Sequence, residues 1–148
     1  MTDLPTTPQA MLALMRERSI GASPLTMLLG VDLVRCWDGY AELVIKIRPD
    51  LTQHRGTVHG GVLGAAVDNV GCWAAASLLG PLVTSSYTIH YLAPARGELV
   101  RATGRLAYLG GRNAVVHTEV AAETGRERTV VAGGLVAVRA VADQARPI

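Results

Sequence analysis

Phenylalanine is absent from this 148-residue chain, and aromatic residues of all kinds make up only 4% of it. So few rings exclude a stacking platform for single-stranded nucleic acid. Cysteine is scarce too. Cys36 and Cys72 are too few for a disulfide scaffold or a four-ligand zinc site, and the chain reads as a reduced, cytoplasmic protein. Neither sign of charge dominates: 14 Lys and Arg stand against 12 Asp and Glu. A polybasic coat for nucleic acid or for a membrane surface is therefore not expected. The start, Met1-Thr2-Asp3-Leu4-Pro5, shows no basic region leading into an apolar run, so no signal peptide is expected. The longest apolar stretch, Val62 to Leu79, is broken by Asp68, Asn69 and several glycines, so a membrane span is not expected either.

What is present is apolar: 49% of residues are hydrophobic and 18% charged, which rules out wholesale disorder. The length fits one domain with its own core. Thr7-Pro8 is a helix start, a capping hydroxyl followed by proline in the first turn. It leads into an apolar stripe of Met11, Leu12, Leu14 and Met15 that runs until Gly21. Ser23-Pro24 repeats the signal for a short helix over Leu25 to Leu29, stopped by Gly30. From Val31 the pattern becomes strand-like, with Asp38-Gly39 as a hairpin turn before Ala41 to Ile47. Gly60-Gly61 opens a long apolar helix that Gly80-Pro81 ends. Four further strands are predicted, over Val83 to Tyr91, Glu98 to Leu109, Ala114 to Glu123 and Thr129 to Val138. The last three should form an antiparallel meander. Residues 1–6 read as a frayed start and residues 142–148 as a loose tail. Clustered strands beside one helix apolar on all sides predict an α+β fold, an antiparallel sheet curled around that helix.

The chemically informative window is Gln53-His54-Arg55-Gly56-Thr57-Val58-His59-Gly60-Gly61-Val62 and its continuation to Asp68. A polar loop reaches a helix start through two glycines. Free N–H groups there carry partial positive charge, and glycine lets another group come close. Such a place can hold a developing oxyanion. Asp68 follows two turns into the helix among Ala65, Ala66, Val67 and Val70. Apolar surroundings penalise a charged carboxylate and favour a general base or nucleophile. Each residue also has an ordinary structural reading: Asp68 as a cap or ion-pair partner, His59 as a hydrogen-bonding residue at a helix start, Cys72 and Trp73 as packing, Gly60-Gly61 as a tight turn. His54, His59, His90 and His117 lack metal-ligand spacing, and no metal site is expected. Ser85-Ser86 lacks the Gly-x-Ser-x-Gly elbow of a serine hydrolase.

Gln53, His59-Gly60-Gly61, Asp68 and the downstream Tyr91-Leu92-Ala93-Pro94-Ala95 together resemble the hotdog-fold acyl-CoA thioesterases of the PaaI-like, phenylacetate-degradation family. The resemblance covers about residues 31–138 and includes the order of elements, with the helical segment 7–29 in front, all within one domain spanning 1–148. It implies a hotdog fold, hydrolysis of an acyl-CoA thioester, and coenzyme A as part of the substrate with no separate cofactor. It implies that Gly61, with Gly60 beside it, offers backbone N–H to the thioester carbonyl. Asp68 would be the catalytic carboxylate, and Gln53 would orient the carbonyl or a water. Thr84 would be the assisting hydroxyl, with Cys72 at the place where other members carry one. Arg55, Arg96 and Arg112, all in loops, are candidates for the phosphates of coenzyme A. An apolar pocket of Val62, Leu63, Ala66, Val70 and Trp73 would suit an aryl or medium-chain acyl group.

Geometry adds one requirement. Gly61 and Asp68 are seven residues apart on one helix, about 10 Å at the rise of an α-helix. One carbonyl carbon must lie within about 3.5 Å of both the polarising and the attacking group. Two chains, each giving one half, meet that demand, so a homodimer or a homotetramer built as a dimer of dimers is expected. Two rival readings remain open: a non-catalytic hotdog module that binds acyl-CoA or lipid, and a hotdog dehydratase acting on acyl carrier protein.

Overall fold

A computed structural model describes residues 4–141. The tail expected over 142–148, and the first three residues of the frayed start, lie outside the described residues. Thr7 caps α1 (Pro8–Met15), its hydroxyl accepting from the Ala10 N–H, and Ser23 does the same for α2 (Pro24–Leu29) through the Thr26 N–H. The stripe predicted to reach Gly21 as one helix changes character after Met15. Residues Arg16–Ile20 form a widened π-helical turn. There Arg16 turns its side chain to the Leu33 carbonyl (3.0 Å) and to Asp32 (3.3 Å). Met11 and Met15 fasten the segment to the core.

Strands β1 (Val31–Trp37) and β2 (Tyr40–Lys46) form the expected hairpin. Its two turn residues, Asp38 and Gly39, have φ of 50° and 76°, the left-handed pair that a tight hairpin requires. Helix α3 (Gly60–Leu79) follows, then β3 (Leu82–Tyr91), β4 (Leu99–Gly110), β5 (Asn113–Thr124) and β6 (Glu127–Ala140). The six strands make one antiparallel sheet in the order β1-β2-β4-β5-β6-β3. The meander β4-β5-β6 is as predicted. β3 crosses to the far edge and pairs with β6.

The sheet wraps α3, which is the hotdog architecture. Alternate residues of the strands, among them Leu43, Val100, Val116, Val120 and Val136, are fully buried on the inner face. The sheet comes so close because small residues line the helix. A Cβ on Gly71 would lie 2.5 Å from Val136, and one on Gly104 of β4 would lie 2.8 Å from the Val70 carbonyl. By length and apolarity alone α3 could cross a membrane, but 56% of its apolar window is buried inside this sheet. The outer face carries polar side chains: Arg101 bridges Glu42 and Glu123, and Arg128 pairs with Glu119.

Candidate active site

The loop before α3 is pinned by its own backbone. Gln53 N–H bonds to the Thr57 carbonyl, Val58 N–H to Ala95, and His59 N–H to Leu51, all within 2.8–3.0 Å. Gly56 turns the loop with φ 70°, a conformation that costs glycine nothing. This delivers His59 as the N-cap of α3, its Nδ1 accepting the Gly61 N–H at 2.9 Å. The amide expected to stand open for a carbonyl is therefore occupied, and an incoming oxygen must take the place of Nδ1. The Gly60 carbonyl accepts a hydrogen bond from the Tyr91 hydroxyl at 2.9 Å. Gln53 spends its Nε2 on Thr57 Oγ1, at 2.8 Å.

These residues line one open cleft of about 670 Å³ that joins Gln53, Arg55, His59, Gly60, Gly61, Tyr91 and Arg96. Arg96 reaches back to the Arg55 carbonyl at 3.2 Å, so two of the three expected arginines meet beside the glycines. The third does not join them. Arg112 gives Nε and a terminal nitrogen to the Ala140 carbonyl (3.1 and 2.8 Å) and so closes the end of the sheet.

Asp68 is outside that cleft. Its Oδ1 accepts the Thr84 hydroxyl at 2.7 Å, with the Cys72 thiol 3.7 Å away. Cys72 Sγ and Thr84 Oγ1 are 3.0 Å apart. Burial pushes the Cys72 thiol up to about 11, and neighbouring Asp68 adds to the shift while the Thr84 hydrogen bond opposes it. Near neutral pH it is a protonated donor rather than a thiolate nucleophile. Among the described residues no group of His, Cys, Asp and Glu is arranged to hold a metal ion.

Thr84 owes its orientation to a β-bulge. Thr84 pairs with Val138 and Ser86 with Ala137, so Ser85 is the extra residue. Tyr87, opposite Val136, faces inward. Simple alternation from Tyr87 would turn Ser85 inward and Thr84 outward. The bulge resets the phase and aims Thr84 at the helix, a recognised use of bulges near functional groups. β3 thus sets Tyr91 against Gly60, Tyr87 against Gly64 and Thr84 against Asp68.

The pocket expected from Val62, Ala66 and Val70 does not form. All three are buried under the sheet in the core, and Leu63 lines the glycine cleft instead. The apolar cavity beside Cys72 and Thr84, about 350 Å³, takes only Trp73 from the expected set. Its other walls include Leu14, Met15, Arg18 and Ser19 of the N-terminal segment, with Ala76 and Leu82.

The sequence of residues 55–129, just over half the chain, matches the thioesterase superfamily. The chain belongs to that superfamily. Thioesterase architecture of the PaaI-like kind is also found in solved structures. The Escherichia coli PaaI protein of the phenylacetic acid degradation operon superposes with a TM-score of 0.82 at 18% identity, over 92% of this chain and 97% of that one, a likeness of fold. A point mutant of the phenylacetic acid degradation protein PaaI from Thermus thermophilus superposes with a TM-score of 0.73 at 28% identity, over 80% of this chain and 100% of that one. A curated Halobacterium salinarum protein, designated a candidate esterase, is 34% identical over 84 residues. That match covers 51% of this chain and 56% of the relative, so the chain spans little more than half of that relative's length. Membership of the thioesterase superfamily supports a hydrolase.

Proposed function

We propose that this thioesterase hydrolyses an aryl- or medium-chain acyl-CoA to the free acid and coenzyme A. The observation that carries this reading is the Asp68 carboxylate, held by a 2.7 Å hydrogen bond from Thr84 on a helix whose first turn opens onto a cleft with two arginines. Thr84 and Cys72 both address Oδ1, which leaves Oδ2 for a water or the carbonyl carbon. In the proposed step Oδ2 takes a proton as the water oxygen attacks the carbonyl. The oxyanion displaces His59 Nδ1 from the Gly61 N–H, the C–S bond breaks, and the thiolate leaves and takes up the proton. Arg55 and Arg96 bind the phosphates of coenzyme A. The cavity beside Cys72 and Thr84 receives the acyl group. Its volume of about 350 Å³ and its mostly apolar walls suit an aryl or medium-chain group.

The helix start and the carboxylate are about 10 Å apart along α3, so each site is built from Gly61 of one protomer and Asp68 of its partner. The test is release of free thiol from a panel of acyl-CoAs, from acetyl through aryl and octanoyl to palmitoyl. A maximum among the aryl and medium-chain substrates is expected. Binding of acyl-CoA without thiol release from any of them would instead favour a non-catalytic carrier.

A further inference from the structure

The Gly60–Gly61 peptide is engaged at both of its ends. Its carbonyl oxygen accepts the Tyr91 hydroxyl at 2.9 Å, and its N–H donates to His59 Nδ1 at 2.9 Å. A peptide unit is one conjugated group, so hydrogen bonding at the oxygen draws electron density from the nitrogen and strengthens the N–H as a donor. The approach of Tyr91 is built into the chain. A Cβ on residue 60 would lie 3.1 Å from the Tyr91 hydroxyl and 3.2 Å from the ring carbon bearing it, so only glycine lets the hydroxyl reach this carbonyl without displacement. The side chain that does this comes from β3, the same strand that aims Thr84 at Asp68.

We propose that Tyr91 is a positioning residue that acts through the Gly60–Gly61 peptide: its hydroxyl fixes the orientation of the Gly61 N–H and strengthens it as a donor to the oxyanion. The inference rests on the thioesterase reading of Gly61. Tyr91 does not reach the substrate carbonyl in this scheme. The substrate oxygen displaces His59 Nδ1, whereas the Tyr91 contact on the opposite side of the peptide persists through the reaction. Its influence grows as negative charge builds on the oxygen, so its loss falls on kcat rather than on KM.

Tyr91→Phe keeps the ring over Gly60 and removes only the hydroxyl. The expected result is a kcat about tenfold lower with KM within about twofold, the size of one neutral hydrogen bond lost from the transition state. 3-Fluorotyrosine placed at position 91, assayed at a pH that keeps its hydroxyl protonated, should raise kcat, because a more acidic hydroxyl donates more strongly. A second readout does not depend on turnover. In protein labelled with ¹⁵N-glycine, at most 16 glycine amides appear, and the Gly61 signal is assigned by its loss in Gly61→Ala. That signal should move upfield in Tyr91→Phe, while Gly125, in the distant β5-β6 turn, stays in place. A Tyr91→Phe enzyme with wild-type kcat, a defect confined to KM, or an unmoved Gly61 amide would overturn the proposal. If wild-type protein releases no thiol from any acyl-CoA, the functional reading fails, and the proposed positioning role of Tyr91 fails with it. Wild-type turnover with an unaffected Tyr91→Phe variant overturns the role of Tyr91 alone.

Discussion

Asp68 and Thr84 face each other across the gap between α3 and β3, and the 2.7 Å hydrogen bond between them fixes which carboxylate oxygen is available. Asp68→Asn keeps that bond, since an amide oxygen also accepts, but it cannot take a proton from water. Turnover is therefore expected to fall by about 100-fold or more with the fold unchanged. Thiol release and circular dichroism measured on the same preparation check this, and a folded variant within a few-fold of wild type rejects Asp68 as the base. Cys72 beside it provides a second check. Folding raises its thiol from 9.0 to about 11, so the neutral thiol favours the folded state. That contribution is complete below pH 9 and is lost as pH rises through about 11. At pH 8 the raised thiol holds much less thiolate than an ordinary one, so iodoacetamide should label Cys72 at least about tenfold more slowly in the folded protein than in urea. Equal rates by mass spectrometry would mean that folding does not raise the thiol, and faster labelling in the folded protein would mean that it is poised as a thiolate.

The central helix is where small residues decide the fold. Replacing glycine by alanine within a helix ordinarily gains about 1 kcal/mol. At Gly71 the new Cβ would lie 2.5 and 2.6 Å from two atoms of fully buried Val136. Overpacking at such a site costs about 1–3 kcal/mol, and more where backbone must move, so Gly71→Ala should lower the melting temperature. At Gly64 the nearest atom is the Tyr87 hydroxyl at 3.3 Å, the far end of a half-exposed side chain that can swing away. Gly64→Ala should be neutral or should raise the melting temperature by a few degrees. Calorimetry on the pair checks the order, and a reversal would mean that the sheet does not press on α3 at Gly71. The difference between these glycines could not be read from the sequence, where both are glycines in one apolar run. The caps Thr7 and Ser23, the Asp38-Gly39 turn and the limits of α3 were legible because each depends on a few neighbouring residues. The placement of β3 at the edge, the bulge at Ser85 and the cavity walled by Arg18 and Ser19 depend on pairings between distant segments. A helix apolar all round carries no periodicity to say which side chains meet the sheet, so Val62, Ala66 and Val70 were expected in a pocket and lie in the core instead. One signal went unused. Gly60 and Gly64 repeat on the helix at the same interval as Tyr87 and Tyr91 on the strand, small residues on one element matched to large ones on the other.

At the scale of the whole molecule, the proposed site falls into two halves that one protomer does not bring together. The cleft at Gly61 and the carboxylate at Asp68 are separated along a single rigid helix, and no change of side-chain rotamer closes about 10 Å. β3, the edge strand nearest both halves, is exposed along nearly its whole length, with Val83 and Tyr91 each more than half accessible. A long, exposed edge strand left bare invites pairing with another chain. A two-fold axis beside β3 would pair it with its own copy, set two α3 helices side by side, and make two equivalent sites from complementary halves. Complementation tests this directly. Asp68→Asn lacks the base, and Gly61→Val blocks the oxyanion donor with a side chain. Each homodimer should be inactive. After subunit exchange, every heterodimer holds one site with wild-type Gly61 from one protomer and wild-type Asp68 from its partner, and a second site with both substitutions. Each heterodimer should recover about half the activity of wild type, one working site of two. Activity that stays at the level of the separate variants, with exchange verified by native mass spectrometry, would place each complete site within one chain and require α3 or its first turn to rearrange during turnover.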